Sequence, residues 1–384
     1  MNVKDVKVYL VNAAYRNLVF VRVYTDEGIT GVGECTAAYG VGSLAVKGAV
    51  RELAPLLIGQ DPFAIERLCY FMYHESFWGM SGGPFICSAI SGLEQALWDI
   101  KGKALKIPVY EMLGGRVRDK IRVYANTWAS HYKLEDYVEF AVRAVENGFT
   151  ALKLYPFGEE EMVKSEREAI ERVRAVRDAV GEDVDIMIDG GWMYLSSASA
   201  AIRVGKKLER FDLLFYEEPI APDNMDGMAR VATNVNIPVA GGERIYKASW
   251  FRRYLNEKAL DVVQLDVGLA GGILESKKIA AMADAHCVPI APHNCNGPVA
   301  TAATIQVDAC TTNFLIQEIF PFDPPWHYDL VDEALEKRIK KGYLDVPKRP
   351  GLGVELNDEE IAKHPYKPLF GARHARERMV YWAK

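Results

Sequence analysis

DIMID at residues 185–189, LLFYE at 213–217 and PVAGGE at 238–243 share one shape: a short apolar run that stops on a carboxylate. The acids Asp189, Glu217 and Glu243 follow one another at intervals of 28 and 26 residues. The pattern continues in VVQLD (262–266), PIAPH (289–293) and FLIQE (314–318). It is prefigured by the apolar runs Ile121–Ala125 and Ala151–Leu154. Between the runs lie amphipathic stretches with helical spacing, among them Leu134–Asn147, Glu161–Val180 and Leu274–His286. Eight strands and seven crossovers in about 200 residues is the rhythm of parallel βα units closed into a barrel. An open doubly wound sheet would show the same alternation. Against it, no GxGxxG follows a strand and no GxxxxGK[ST] occurs anywhere in the chain.

The segment before this rhythm reads differently. VKVYLVN, FVRVYTDEG and ITGVGECT are strand-like runs with a turn signal at Asp26-Glu27-Gly28. Ala45–Leu57, Pro62–His74 and Pro84–Leu105 then carry apolar residues at three- and four-residue spacing. An antiparallel meander followed by helices predicts a separate α+β domain over residues 1–118, with the barrel over 119–325. Residues 326–384 continue a Pro-rich, aromatic stretch (PFDPPWHYD, then VPKRPGLGVE) too irregular for another βα unit, and are expected to pack back on the first domain.

Composition narrows the function. The 384 residues hold 46 Lys+Arg against 52 Asp+Glu, a net charge of −6, with 49% hydrophobic and 26% charged residues. This is the balance of a folded globular protein, and a poor one for neutralising nucleic-acid phosphates. No apolar run approaches the roughly 20 residues of a membrane span. The first ten residues carry charges where a signal peptide needs its apolar run. Six cysteines without a CxxC point to reduced thiols, and so to the cytoplasm.

The carboxyl ends of barrel strands all face one mouth, where catalytic groups gather. Six successive runs each deliver an acid or a histidine to that rim, which core packing does not explain, because buried carboxylates are costly unless paired or metal-bound. Asp189, Glu217 and Glu243 form an oxygen-only set suited to a hard cation, above all Mg2+. Strand alternation lets one of Glu217 and Glu218 point inward, and Glu217 is the choice. His293 follows Asp266 by 27 residues, one βα unit, so the carboxylate is expected beside the imidazole, fixing its tautomer and raising its basicity. His74, His286 and His364 have no such partner in the pattern.

With these residues in place the chain resembles the enolase superfamily, in its mandelate racemase-like subgroup. The resemblance runs through GVGE (31–34), SGLEQALWDIKGK (91–103) and LGGRVRDKIRVYA (113–125). It continues through Asp189, Glu217 and Glu243, the Asp266–His293 pair, Glu318 and VPKRPGLGVE (346–355). It implies a capping domain over a (β/α)7β barrel, a homo-oligomer, and Mg2+ binding the carboxylate of a small acid substrate. A side-chain base then removes the α-proton to give an enediolate, a mechanism known for this superfamily and taken over with the resemblance. Glu318, protonated, would donate a hydrogen bond to that enediolate. The subgroup holds racemases and, more often, dehydratases of acid sugars.

The chain departs from the family after the second barrel strand, where many relatives carry Lys-x-Lys and this sequence reads Lys153-Leu154-Tyr155. A racemase needs a competent base on both faces of the α-carbon, and a tyrosine, ordinarily titrating near ~10, is a poor one. Lys153 is the cation that could lower it, and Tyr155 also suits the acid that helps hydroxide depart. In Asp189-Gly190-Gly191 the second glycine stands where some sugar-acid dehydratases have a histidine. These features favour dehydration of an aldonate or aldarate to a 2-keto-3-deoxy acid over racemisation or epimerisation, and either over a non-catalytic binding barrel. The Gly-rich stretches AAYGVG (37–42) and FWGMSGGP (77–84) read as a lid, with Tyr39 and Trp78 as substrate-facing candidates. Arg16 is a candidate for the distal carboxylate of a diacid, an ordinary surface arginine being the alternative.

Overall fold

The computed structural model describes residues 1–37, 39–127, 133–158, 162–190, 197–321 and 324–369, with side chains 162–164 left aside. β1 (Val3–Ala13), β2 (Arg16–Thr25) and β3 (Thr30–Cys35) form an antiparallel meander. Val8 pairs with Val21, and Phe20 with Glu34. Three helices follow: α1 (Ser43–Leu53), α2 (Ile65–His74) and α3 (Pro84–Leu105). Every residue of α3 from Cys87 to Ile100 is buried. A helix apolar enough to be covered on all sides belongs between layers. Its carboxylates reach across to the barrel, as described below.

After the short α4 (Val109–Met112), strands and helices alternate. The strands are β4 (Lys120–Asn126), β5 (Ala151–Leu154), β6 (Asp185–Ile188), β7 (Leu213–Glu217), β8 (Val239–Gly241) and β9 (Val262–Val263). The helices between them are α5 (Leu134–Glu146), α6 (Met162–Val180), α7 (Ala198–Leu208), α8 (Met225–Asn234) and α9 (Lys247–Asn256). α10 (Ile273–Ala285) and α11 (Pro298–Ala309) precede β10 (Gln317–Ile319). All neighbours from β4 to β9 pair parallel, and β10 pairs parallel with β4, Glu318 opposite Tyr124. The ring closes through Ile290, which bridges Val263 on one side and Phe314 on the other. The run predicted at 289–293 is thus reduced to one bridging residue, Ile290. Pro289 and Pro292 flank it, and a residue without an N–H cannot extend a ladder.

One interior layer draws a residue from each of the eight runs: Tyr124, Ala151, Met187, Phe215, Ala240, Val262, Ala291 and Ile316. Side chains recur on one face of a strand every second residue. The layer above it, at the mouth, is therefore Asn126, Lys153, Asp189, Glu217, Gly242, Gln264, His293 and Glu318. The floor is apolar and the storey over it almost wholly polar.

The last described segment touches both parts. β11 (Tyr343–Asp345) runs antiparallel to β4. Beyond it Leu352 N–H donates to Asp99 of α3 at 2.8 Å, Lys103 joins Glu355 at 2.5 Å, and Pro365 bridges Val11. Asp358, which opens α12 (Asp358–Lys363), pairs with Arg22 of β2 at 2.8 Å. Residues 370–384 of the predicted final segment, and residues 322–323 just ahead of it, lie outside the described residues. Among the described residues no helix is long and apolar enough to cross a membrane.

Candidate active site

Lys153 stands at the centre of the mouth, 1% exposed. Its Nζ lies 2.6 Å from Glu217 Oε2, 2.9 Å from Glu318 Oε1 and 3.2 Å from Asp189 Oδ2. Burial works to lower this ammonium, but Glu217 and Glu318 outweigh it and hold the group well above the ordinary lysine value. Gln264 Nε2 donates to Glu217 Oε2 at 2.6 Å. Glu318 accepts from Asn126 Nδ2 at 2.7 Å and from the Asn294 N–H at 2.8 Å. Lys153 and then His293 pull Glu318 down to about 2 against its burial. The buried ammonium beside it favours the carboxylate.

His293 Nδ1 is 2.8 Å from Asp266 Oδ2, the contact expected from their one-unit spacing. Its Nε2 faces Glu243 Oε2 at 3.1 Å and the Cys295 thiol at 3.2 Å, with Glu318 Oε2 at 3.9 Å. Burial works to lower the imidazole, but Cys295, Glu243 and Asp266 together hold it well above its usual range. With Nδ1 committed to Asp266, Nε2 is the atom that can exchange a proton at the mouth.

Asp189, Glu217 and Glu243 all reach this mouth, but not as a closed set. Asp189 and Glu217 share Lys153, whereas Glu243 is turned to Arg244 and His293. Among the described residues, no three acidic, His or Cys side chains stand at metal-ligand spacing. Their chemistry nonetheless fits a divalent cation. Glu217 Oε1 is buried without a hydrogen-bond partner. Burial and then the Asp189 charge push Glu217 up to about 8, and burial likewise raises Asp189, with Glu243 adding to it. An excess of buried negative charge over fixed positive charge is what a hard cation relieves. Glu218, the acid not chosen from the pair, turns to Arg244, which joins it to Glu243.

Tyr155 is buried, its ring packed on Gly190, where a Cβ would come within 1.4 Å of it. Gly190 also has φ +84°, so glycine is required there twice over. Lys153, read as the cation that would act on Tyr155, is instead engaged with three carboxylates. Arg16 is 1% exposed and lies between the rings of Tyr15 and Phe320, donating to the Cys295 carbonyl. Tyr39 forms a bridge to Arg16, so both stand beside the segment that carries His293 and Cys295. Trp78 is 83% exposed and stacks edge-on against Phe77. Ala38 of the first Gly-rich stretch and Gly191 lie outside the described residues. Of the other histidines considered from the sequence, His364 stacks on Trp326, while His74 and His286 are exposed.

Two family descriptions cover most of the chain: "Mandelate racemase / muconate lactonizing enzyme, N-terminal domain" over residues 4–114 and "Enolase C-terminal domain-like" over 136–361. The chain belongs to the enolase superfamily. Within that superfamily it is 40% identical to a D-galactonate dehydratase of Variovorax paradoxus (strain S110), over 91% of each chain. It is 35% identical to a D-gluconate dehydratase of Thermoproteus tenax, over 91% of this chain and 70% of that one. The crystal structure of an enolase superfamily member from Salmonella Typhimurium superposes with a TM-score of 0.89 at 35% identity, covering 95% of this chain and 98% of the other.

Sequence reasoning missed Thr36, Asn126, Arg244, Gln264, Asn294, Cys295 and Asn296, which all bond to one of the residues above. Asn126 and Gln264 carried a usable signal, since each lies two positions past an apolar floor residue on its own strand. Arg244, Asn294, Cys295 and Asn296 stand within three residues of Glu243 or His293, whereas Thr36 is brought in by a contact across 230 residues that no local pattern announces.

Proposed function

We propose that this enolase superfamily member is a hydro-lyase that removes water from an acid sugar, an aldonate or aldarate, to give a 2-keto-3-deoxy acid. The reading takes residues 1–118 as the cap, 119–325 as the barrel and 326–384 as a returning segment of a cytoplasmic homo-oligomer. The observation that carries it is the inequality of the two sides of the mouth. On one side His293 is fixed on Asp266 and presents Nε2. Across the barrel Lys153 is held as an ammonium by three carboxylates. One side presents a single ring nitrogen oriented by a carboxylate and the other buries its ammonium among acids, an unmatched pair that suits elimination and not the symmetric proton exchange of a racemase.

Asp189, Glu217 and Glu243 would hold Mg2+, which supplies Lewis-acid polarisation of the substrate carboxylate and so acidifies the C2 proton. Lys153 adds a fixed positive charge beside the developing enediolate. In its neutral form His293 takes the C2 proton at Nε2 while Asp266 keeps the ring oriented. The C3 hydroxyl then leaves as water, its proton coming from the imidazolium or from Tyr155, and the enol rearranges to the 2-keto product. Carbon and charge balance with loss of one water.

The test is a library of aldonates and aldarates incubated with Mg2+ and assayed for 2-keto acids. Turnover of at least one member is expected. If none yields a 2-keto acid although the protein is folded, the reading falls.

A further inference from the structure

The dyad is held by more than the barrel. Four donors converge on the Asp266 carboxylate. His293 Nδ1 at 2.8 Å and Asn296 Nδ2 at 3.1 Å reach Oδ2, while the Gly268 N–H at 2.7 Å and Thr36 Oγ1 at 2.6 Å reach Oδ1. Three of these come from the strand ends themselves. Thr36 comes from the antiparallel meander, one residue past β3 and 230 residues away in sequence.

Thr36 is fixed on every side. Its N–H donates to the Gly268 carbonyl at 3.0 Å, and its carbonyl accepts from Ser88 Oγ of α3 at 2.9 Å. Its hydroxyl accepts from Asn296 Nδ2 at 2.9 Å, so the single proton of Oγ1 is left for Asp266. Position 268 leaves room for nothing more. A Cβ there would stand 2.4 Å from Thr36 Oγ1 and 3.2 Å from Asp266 Oδ1.

We propose that Thr36 is a positioning residue for proton transfer: seating of residues 1–118 on the barrel completes the cradle of Asp266 and thereby sets the orientation of the His293 imidazole. Gross docking does not need this hydroxyl. Glu34 already ties β3 to the start of α11 through the Gly297 and Ala300 N–H groups at 2.6 and 2.8 Å. Glu94 ties α3 to the start of α10 through Ile273 and Leu274 at 2.7 and 2.8 Å. What Thr36 adds is a contact to the reacting pair.

The inference rests on His293 as the proton-transfer residue, so its test has one arm that needs no substrate. The proteins are wild type, Thr36→Val, Thr36→Ser and His293→Asn, labelled with 15N-histidine. The Nδ1–H resonance absent from His293→Asn is assigned to His293. It is expected to shift or broaden in Thr36→Val and to keep its wild-type position in Thr36→Ser. In the kinetic arm, with the aldonate that wild type turns over fastest, Thr36→Val should lower kcat by about 10- to 100-fold, the scale of losing an outer hydrogen-bond partner. KM should stay within about twofold, and Thr36→Ser should recover most of the rate. In a His293→Asn background, Thr36→Val should cost nothing further. An unchanged resonance in Thr36→Val overturns the proposal, and so does an undiminished kcat. Equal damage in the Val and Ser variants with a lowered thermal midpoint also overturns it, because Thr36 would then be only a clamp. Should no aldonate react, the reading of function fails while the resonance still decides on Thr36.

Discussion

Two groups of buried acids lie within this molecule, and they are satisfied in opposite ways. Glu34, Glu94 and Asp99, in the meander and α3, each accept hydrogen bonds from donors that cannot leave. Glu94 takes the Ile273 and Leu274 N–H groups and the Trp98 indole, and Asp99 takes the Val32 and Leu352 N–H groups beside its pairing with Lys103 on the same helix. Asp189, Glu217, Glu243 and Glu318 at the barrel mouth lean chiefly on two side-chain cations, Lys153 and Arg244, and on one another's tolerance. Glu217 even keeps a buried oxygen without a partner. Backbone donors at helix starts make a carboxylate a structural fitting. Shared side-chain cations leave a carboxylate replaceable by a metal or a substrate, at a cost in stability that marks a functional site.

Breaking the mouth should have the largest effect. His293→Asn is expected to lower turnover by at least ~10², the lower range for loss of a general acid–base group. The variant should keep its circular dichroism. Near-normal steady-state production of 2-keto acid would remove His293 from the mechanism.

Glu94→Ala attacks the other group. It strands two helix-start N–H groups and an indole N–H, and a buried donor left without an acceptor costs roughly 1–3 kcal/mol. Calorimetry should show a clearly lowered unfolding temperature, with turnover per folded molecule nearly unchanged. A wild-type unfolding temperature would mean that these acids are not fittings at all.

Glu217→Gln sharpens the contrast because its sign is reversed. Removing one charge from a crowded set should leave the metal-free protein as stable as wild type or more so at mildly alkaline pH, by on the order of 1 kcal/mol. The same change should abolish the rise in unfolding temperature that Mg2+ gives the wild type. A destabilised variant that still responds to Mg2+ would contradict both halves.

The smallest effect is in pH. Burial pushes Glu34 up to about 8 and Glu94 up to about 7, above the ~4.3 of an unfolded glutamate. The folded state therefore binds more protons between those values. The associated stability is fully present below the unfolded value and is lost as pH rises through the folded one. From about pH 5 to about pH 8.5 the unfolding temperature of Glu34→Gln should fall less steeply than that of wild type. Parallel profiles would show that Glu34 does not titrate in that window.

Much of the barrel was legible because strand ends advertise themselves. Apolar runs that stop on Asp189, Glu217, Asp266, His293 and Glu318 located the mouth and the dyad, and period-two alternation separated Glu217 from Glu218. The same alternation carried Asn126 and Gln264, which are ordinary amides and drew no notice. The weakest strand, at Ile290, was less legible because its prolines remove ladder donors without changing its apolar look. Thr36 was beyond reach of pattern, since a threonine after a strand is unremarkable until folding sets it against Asp266. The charge state of Glu318 was equally out of reach of pattern, because it depends on where the Lys153 ammonium comes to rest, and that is a property of the packed mouth.

The central claim is that this mouth eliminates water and does not invert a carbon. It is tested most directly by incubating the reactive acid sugar with enzyme and Mg2+ in D2O and following C2 and C3 by NMR. A 2-keto-3-deoxy product is expected, with one solvent deuterium placed at C3 when the enol is protonated. Inversion at C2 with deuterium incorporated there, and no keto product, would contradict it.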